Sequence, residues 1–157
     1  PRDIFLFDTF EGMTPAGEED TNIKTGDSAA DLMRKAGDSR DAAIVAYAGL
    51  EEVRKNMYST GYSRDHLHFV RGDVAQTLGM TDTGPLALLR LDTDWYASTK
   101  CELDVLYPRL VKGGVLIIDD YGSWAGARQA TDEFLAAHRH PILLTRVDSG
   151  MRIAVKP

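Results

Sequence analysis

The sequence predicts an α/β fold built on a parallel sheet and closed by an antiparallel hairpin. Three stretches predict it. Residues 86–120, LALLRLDTDWYASTKCELDVLYPRLVKGGVLIIDD, read as an apolar strand ending in Asp92-Thr93-Asp94, a helix over about 97–110, a Gly113-Gly114 stop and a second apolar strand ending in Asp119-Asp120. Residues 3–8 form another short apolar run ending in an acid, as a buried parallel strand does. Residues 142–147 and 151–155 flank the turn Asp148-Ser149-Gly150, which is a hairpin signal. A strand, a crossover helix and a second strand form a right-handed parallel unit, so the acidic ends of both strands emerge on one edge. Open parallel sheets bind ligands at that edge.

The other elements follow in order. After Asp8 comes a long polar segment, residues 14–40, rich in Gly, Asp, Glu, Ser and Thr. Connections of that length inside compact domains are often lids, and a mobile lid over the site is expected here. Residues 41–58 space Ile44, Ala48, Val53 and Met57 as a helix, with Gly61 placed to end it. His66-Leu67-His68-Phe69-Val70 alternates like a strand, closed by Gly72-Asp73. His66 and His68 share one face; as metal ligands they need a third partner, and a half-exposed strand face accounts for them more simply. Residues 76–84 read as a polar connection, residues 121–126 as an aromatic and glycine loop, and residues 127–138 as a helix.

Bulk composition bounds the function. The 157 residues suffice for one domain, 1–157, with a proper core. With 43% hydrophobic and 27% charged residues the chain looks globular, and no apolar run approaches the roughly 20 residues that span a bilayer. A net charge of −6 with no Lys/Arg cluster argues against nucleic acid as a partner. The single cysteine, Cys101, excludes an internal disulfide and fits a reducing cytoplasm. It falls on the predicted crossover helix, where packing explains it better than chemistry.

The strand-end acids are the chemically informative residues. Carboxylates gathered on one edge repel one another and resist burial unless a cation neutralises them. Oxygen donors suit a hard divalent ion such as Mg²⁺. One acid at a strand end is ordinary turn or cap chemistry; two at each of two strand ends exceed what caps need. Asp8, at its own strand end, sits where dinucleotide folds place the acid that accepts hydrogen bonds from ribose hydroxyls.

The segments FDTFEGM, LRLDTDWYAST, LYPRLVKGGVLIIDDYGSWAGARQA and RVDSGMRIAVK resemble the macrocin O-methyltransferase (TylF-type) family, which are class I S-adenosylmethionine-dependent methyltransferases. The resemblance covers nearly the whole chain. It implies a Rossmann-like class I methyltransferase sheet and a Mg²⁺-dependent O-methylation of a sugar or phenolic hydroxyl on a small metabolite. In this reading Asp8 holds the ribose of S-adenosylmethionine and Asp73 lies near its adenine. Asp92, Asp119 and Asp120 bind Mg²⁺, and either Asp92 or Asp94 takes the acceptor proton, with Asp94 otherwise a further ligand or a support. Tyr121 and Trp124 are candidates for the acceptor wall and equally for packing.

One part of the family pattern is absent: the first strand and its glycine-rich turn, which lie between the strand ending at Asp8 and the one ending at Asp92. The chain is expected to be the C-terminal portion of a longer protein; the alternatives are that another chain supplies the missing part or that the two flanking strands pair directly, and self-association through exposed strand edges is a further expectation. Two other functions compete. A non-catalytic methyltransferase-like binding domain fits the missing turn. An Asp-x-Asp phosphatase is disfavoured because Tyr96 stands where that class carries Thr or Val, and an Asp-x-Asp glycosyltransferase leaves Asp119-Asp120 unexplained.

Overall fold

The computed structural model describes residues 1–137 and 142–157, so the end of the predicted helix at His138 lies outside the described residues. Strand β1 (Ile4–Asp8) pairs in parallel with β2 (Leu67–Arg71), Ile4 opposite Leu67 and Asp8 opposite Arg71. The apolar run 86–91 forms β3 (Leu86–Leu91), which pairs in parallel with β4 (Leu110–Ile118). The C-terminal hairpin is present as β5 (Thr145–Arg146) and β6 (Arg152–Val155), antiparallel to each other, with β6 also antiparallel to β4. Sheet order is β1-β2 in one sheet and β3-β4-β6-β5 in the other. Among the described residues no ladder joins β1 to β3, the neighbours between which the family's first strand was expected.

Five α-helices connect the strands: α1 (Ala29–Ala36), α2 (Leu50–Ser59), α3 (Val74–Thr77), α4 (Tyr96–Leu106) and α5 (Ala125–Ala137). No helix among the described residues is long and apolar enough to cross a membrane. The main core lies between one face of the larger sheet and helices α4 and α5. Leu89, Leu91, Leu116, Ile118 and Ala154 meet Leu103, Leu106, Tyr107 and Phe134 there. Burying each Leu or Ile of that set contributes roughly 1.5–3 kcal/mol. Cys101 packs against the same cluster, and burial pushes its thiol up, away from reactive thiolate.

Three departures from the sequence reading have identifiable causes. Gly113-Gly114 does not separate helix from strand: β4 begins at Leu110, and the glycines form a break in register inside it, with Leu86 opposite Leu110 but Leu88 opposite Val115. Gly113 takes a φ of 76°, which only glycine adopts without strain, and the ladder is kept by Gly113 N–H donating to Lys156 O and Lys156 N–H donating to Gly114 O. The helix expected over 41–58 is split: a 3₁₀ turn at Ala43–Val45 ends in a left-handed Ala46, and α2 starts only after Gly49. The connection 76–84 is partly ordered into α3 and a 3₁₀ turn, Leu78–Met80, which buries Leu78.

The largest departure concerns residues 14–40. Polar composition predicts a mobile lid, yet the segment is built into the body of the protein. Ser28 caps α1, whose first residue Ala29 is buried against Trp95, Trp124 and Ala127. Backbone bridges tie Thr21 to Ser28 and Asn22 to Trp124. The anchor is Asp20, only 1% exposed, whose carboxylate accepts from Tyr96 N–H at 2.7 Å and from Gly17 N–H at 2.7 Å. It thereby satisfies an orphan donor in the first turn of α4. Gly126 opens the space for it, since a Cβ there would lie 1.9 Å from Asp20 Oδ1.

Replacing Asp20 with Ala strands two backbone donors and removes the anchor. Urea unfolding of Asp20→Ala is expected to show a loss of about 2–3 kcal/mol, with faster amide exchange through residues 17–29.

Candidate active site

Parallel pairing assembles the acids. Leu91 lies opposite Ile118, and the ladder runs one step further as Asp119 N–H donates to Leu91 O at 3.0 Å. Asp92 is therefore level with Asp119. The chain then turns into α5, with Ser123 and Trp124 N–H both donating to Asp120 O, and this turns Asp120 inward. The hairpin turn presses onto the same strand tip. A Cβ on Gly122 would lie 1.8 Å from Ser149 O, so that approach requires glycine.

One carboxylate oxygen from each of Asp92, Asp119 and Asp120 lies within 4.8 Å of the others. Exposure falls from Asp92, at 46%, to Asp119, at 27%, to the buried Asp120. Arg90 Nη2 sits 2.9 Å from Asp92 Oδ2 and 3.3 Å from Asp119 Oδ1. The second contact has ion-pair distance without hydrogen-bond alignment, so Asp119 Oδ1 is buried with no hydrogen-bond partner. Asp94 takes a left-handed φ of 63° and points its N–H at Asp120 Oδ2, 3.3 Å away.

The electrostatics show an excess of negative charge. Burial pushes Asp120 up to about 8, and repulsion from Asp94, Asp92 and Asp119 adds to it. Burial likewise raises Asp92 to about 6, with Arg90 opposing and Asp119 and Asp94 reinforcing the shift. Asp94 is raised by burial while hydrogen bonds from Asp120 and Trp124 hold it back. A protonated Asp120 donating to an ionised Asp94 accounts for both signs. Three convergent oxygen donors, one of them buried without a partner, suit a hard divalent cation, and the residues present fit Mg²⁺.

Beneath the acids lies Glu102, 5% exposed, on α4. Thr93 Oγ1 donates to Glu102 Oε2 at 2.9 Å, fixing the middle of the Asp92-Thr93-Asp94 turn. Burial pushes Glu102 up to about 8, with the charge of Asp92 adding to the shift and the Thr93 bond opposing it.

Asp8 and Asp73 stand at the corresponding ends of the other sheet. Asp8 is exposed, and its Oδ1 accepts from Phe10 N–H at 2.6 Å. Asp73 is the N-cap of α3, its Oδ1 accepting from Ala75 N–H at 2.9 Å. Trp124 packs edge-on against Trp95 with ring centroids 5.0 Å apart. Tyr121 is half-buried between the guanidinium groups of Arg128 and Arg152.

Arg90, Glu102 and Asp20 carry much of this site and were not singled out from sequence. Arg90 had a local signal, being two residues before Asp92 on the same strand face. Glu102 and Asp20 had none, because a lone acid in a helix or a polar loop looks solvated until the packing is known.

The α/β fold with a mixed sheet and acids at its strand ends is the fold of class I methyltransferases, as comparison with solved structures shows. The structure of the O-methyltransferase NovP superposes with a TM-score of 0.78 at 29% identity, covering 99% of this chain and 60% of that one. The calicheamicin methyltransferase CalS11, at 22% identity, shares the fold with a TM-score of 0.67 over 98% of this chain and 60% of its own. The family profile for macrocin-O-methyltransferase (TylF) matches residues 1–153, and the chain belongs to that family. Among curated relatives, the 8-demethyl-8-(2,3-dimethoxy-alpha-L-rhamnosyl)-tetracenomycin-C 4'-O-methyltransferase of Streptomyces olivaceus is 37% identical over 76% of this chain and 42% of its own length. The demethyldecarbamoylnovobiocin O-methyltransferase of Streptomyces niveus is 33% identical over 86% of this chain and 48% of its own. The chain thus spans about half the length of the curated relatives it matches.

Glu102 makes stability depend on pH. Its folded pKa lies above the ordinary 4.5, so the folded state holds the proton more tightly. Its contribution is complete below about pH 4.5 and is lost as pH rises through about 8. With chelator present, Glu102→Gln is expected to flatten the fall in unfolding free energy between these limits by up to about 1.4 kcal/mol per pH unit, leaving the part due to Asp92 and Asp120. Denaturant titrations at a series of pH values measure it.

Proposed function

We propose that the protein to which this chain contributes is a Mg²⁺-dependent, S-adenosylmethionine-dependent O-methyltransferase acting on a sugar or phenolic hydroxyl of a small metabolite. The observation that carries the reading is the convergence of Asp92, Asp119 and Asp120 at the strand ends of a chain in this family. Relatives named for methylation of a rhamnosyl-tetracenomycin and of mycinamicin III at its 3'' oxygen support a sugar-bearing acceptor. The net charge of −6 favours a small-molecule acceptor over nucleic acid, and the single cysteine favours a cytoplasmic setting.

In this reading Asp92, Asp119 and Asp120 hold the ion. The chemistry that Mg²⁺ would supply there is polarisation of the acceptor hydroxyl, with a lowered pKa. Asp92 or Asp94 receives the proton; Asp92 is the more exposed, while Asp94 shares a hydrogen bond with Asp120. Glu102, through Thr93, keeps the turn bearing both acids in place. Asp8 accepts the ribose hydroxyls of the methyl donor and Asp73 stands near its adenine. S-adenosylmethionine would supply the methyl group to the acceptor oxygen, and the part left to Asp8 and Asp73 would be to hold the donor aligned, from which much of the acceleration would come.

A second reading, a methyltransferase-like binding domain, rests on the lack, among the described residues, of a ladder between the sheet carrying Asp8 and the sheet carrying Asp92. Calorimetric titration separates the two: an intact enzyme binds both Mg²⁺ and S-adenosylmethionine, a cofactor-incomplete portion binds the metal alone, and a relic binds neither.

Two substitutions test the assignments. In the active protein, Asp119→Asn is expected to weaken Mg²⁺ binding and slow turnover together; unchanged metal-dependent rates would remove it from the site. Asp8→Ala is expected to raise the dissociation constant for S-adenosylmethionine about tenfold or more, because hydrogen bonds to a charged group contribute roughly 1.5–3 kcal/mol.

A further inference from the structure

At the opposite end of β1 and β2 from Asp8 and Asp73, the third partner that His66 and His68 lacked in the sequence is present. Asp3 lies just before β1, level with His66 by the Ile4–Leu67 register. Its Oδ1 is 3.0 Å from His66 Nδ1 and 2.9 Å from His68 Nε2. We infer that Asp3, His66 and His68 form a second metal site, of His₂-carboxylate type, which takes Zn²⁺ and leaves a fourth position for water.

Four features carry the inference. The donor set is right: two imidazole nitrogens and one carboxylate suit a borderline ion such as Zn²⁺, whereas the all-oxygen cluster at the other strand ends suits Mg²⁺. The spacing is part-way to that of ligands: donors bound at about 2.0–2.1 Å around a tetrahedral ion lie about 3.3 Å apart, and each nitrogen lies within that distance of the carboxylate oxygen, while the two nitrogens stand more than 4.8 Å from each other. The remaining adjustment, closing the gap between the two nitrogens, falls to His66, whose side chain is 34% exposed, with His68 held by its ring stack.

The third feature is support. His68 stacks on Phe5 with centroids 4.6 Å apart and planes 20° or so from parallel, at 21°, which sets the ring orientation. Tyr62 clasps the chain just before Asp3, its hydroxyl accepting from Arg2 N–H at 2.8 Å and donating to Arg2 O at 2.6 Å. The fourth is charge: hydrogen bonds from His68 and His66 hold the Asp3 carboxyl below its ordinary range, so it is ionised at neutral pH. A bound ion would rivet the start of β1 to the start of β2, far along the strands from the methyl-transfer chemistry.

The test uses this chain with Mg²⁺ at saturating concentration, so that the acid cluster is not available to zinc. Titration with ZnCl₂ is expected to give one binding event, retained in Asp119→Asn, weakened in Asp3→Asn and lost in His66→Gln and in His68→Gln. Far-ultraviolet circular dichroism of each variant checks that it is folded. Long-range ¹H–¹⁵N spectra of the imidazoles give an independent readout in the unmodified chain, where Zn²⁺ is expected to shift His66 Nδ1 and His68 Nε2. A zinc isotherm unchanged in both histidine variants, no zinc binding, or shifts confined to other histidines would overturn the assignment. The Mg²⁺ isotherm is expected to be the same in the histidine variants as in the parent chain, so failure here and failure of the methyltransferase reading are told apart.

Discussion

Repulsion among carboxylates is the constraint around which this protein is arranged. Parallel pairing of β3 with β4 forces Asp92 alongside Asp119, and the turn into α5 brings Asp120 inward behind them. Asp92 and Asp120 are taken from water towards an interior that does not stabilise their charge, and the neighbouring acids add to the upward shift of both. The protein answers with what it has. Arg90 leans across Asp92 and Asp119, a proton stays on Asp120 near neutral pH, and Asp94 turns its N–H towards Asp120. None of these satisfies Asp119 Oδ1. The cluster thus stays under-neutralised after folding, which is the observation behind the proposed cation site.

The support beneath the acids is built from residues remote in sequence. Asp20, in a polar stretch, caps the first turn of α4, and α4 in turn carries Glu102 under Thr93. The segment that composition marks as a lid is thus a strut, joined by the backbone bridge from Asn22 to Trp124 to the chain just after Asp120. It meets the Asp92-Thr93-Asp94 turn through α4 and through Trp95, whose indole donates to Thr14 O at 2.8 Å. Preorganisation of this kind keeps repelling groups in place when nothing is bound between them.

The two ends of the strands differ in chemistry. At the C-terminal ends only oxygen donors gather, and at the start of β1 and β2 two imidazoles meet one carboxylate. By ligand type, the first set is suited to a hard ion and the second to a borderline one. Both sites depend on neighbouring strands running in register, which places side chains of distant sequence side by side.

By itself the sequence determined the kinds of element and the acids at their ends, because hydrophobic periodicity, caps and strand-terminal carboxylates are local patterns. The runs at 3–8 and 86–91, the closing hairpin and the identity of Asp92, Asp119 and Asp120 were all legible there. Tertiary structure decided which polar residues are buried and which side chains meet. Asp20 reaches Tyr96 across 76 positions of chain, and Asp3 reaches His68 across 65. Composition made residues 14–40 look mobile, since polarity predicts solvation wherever no partner is in view; packing supplied the partners, and with them the order. The glycines at 113 and 114 misled for the same reason, as a bulge and a helix stop use the same residue and only the neighbouring strand distinguishes them.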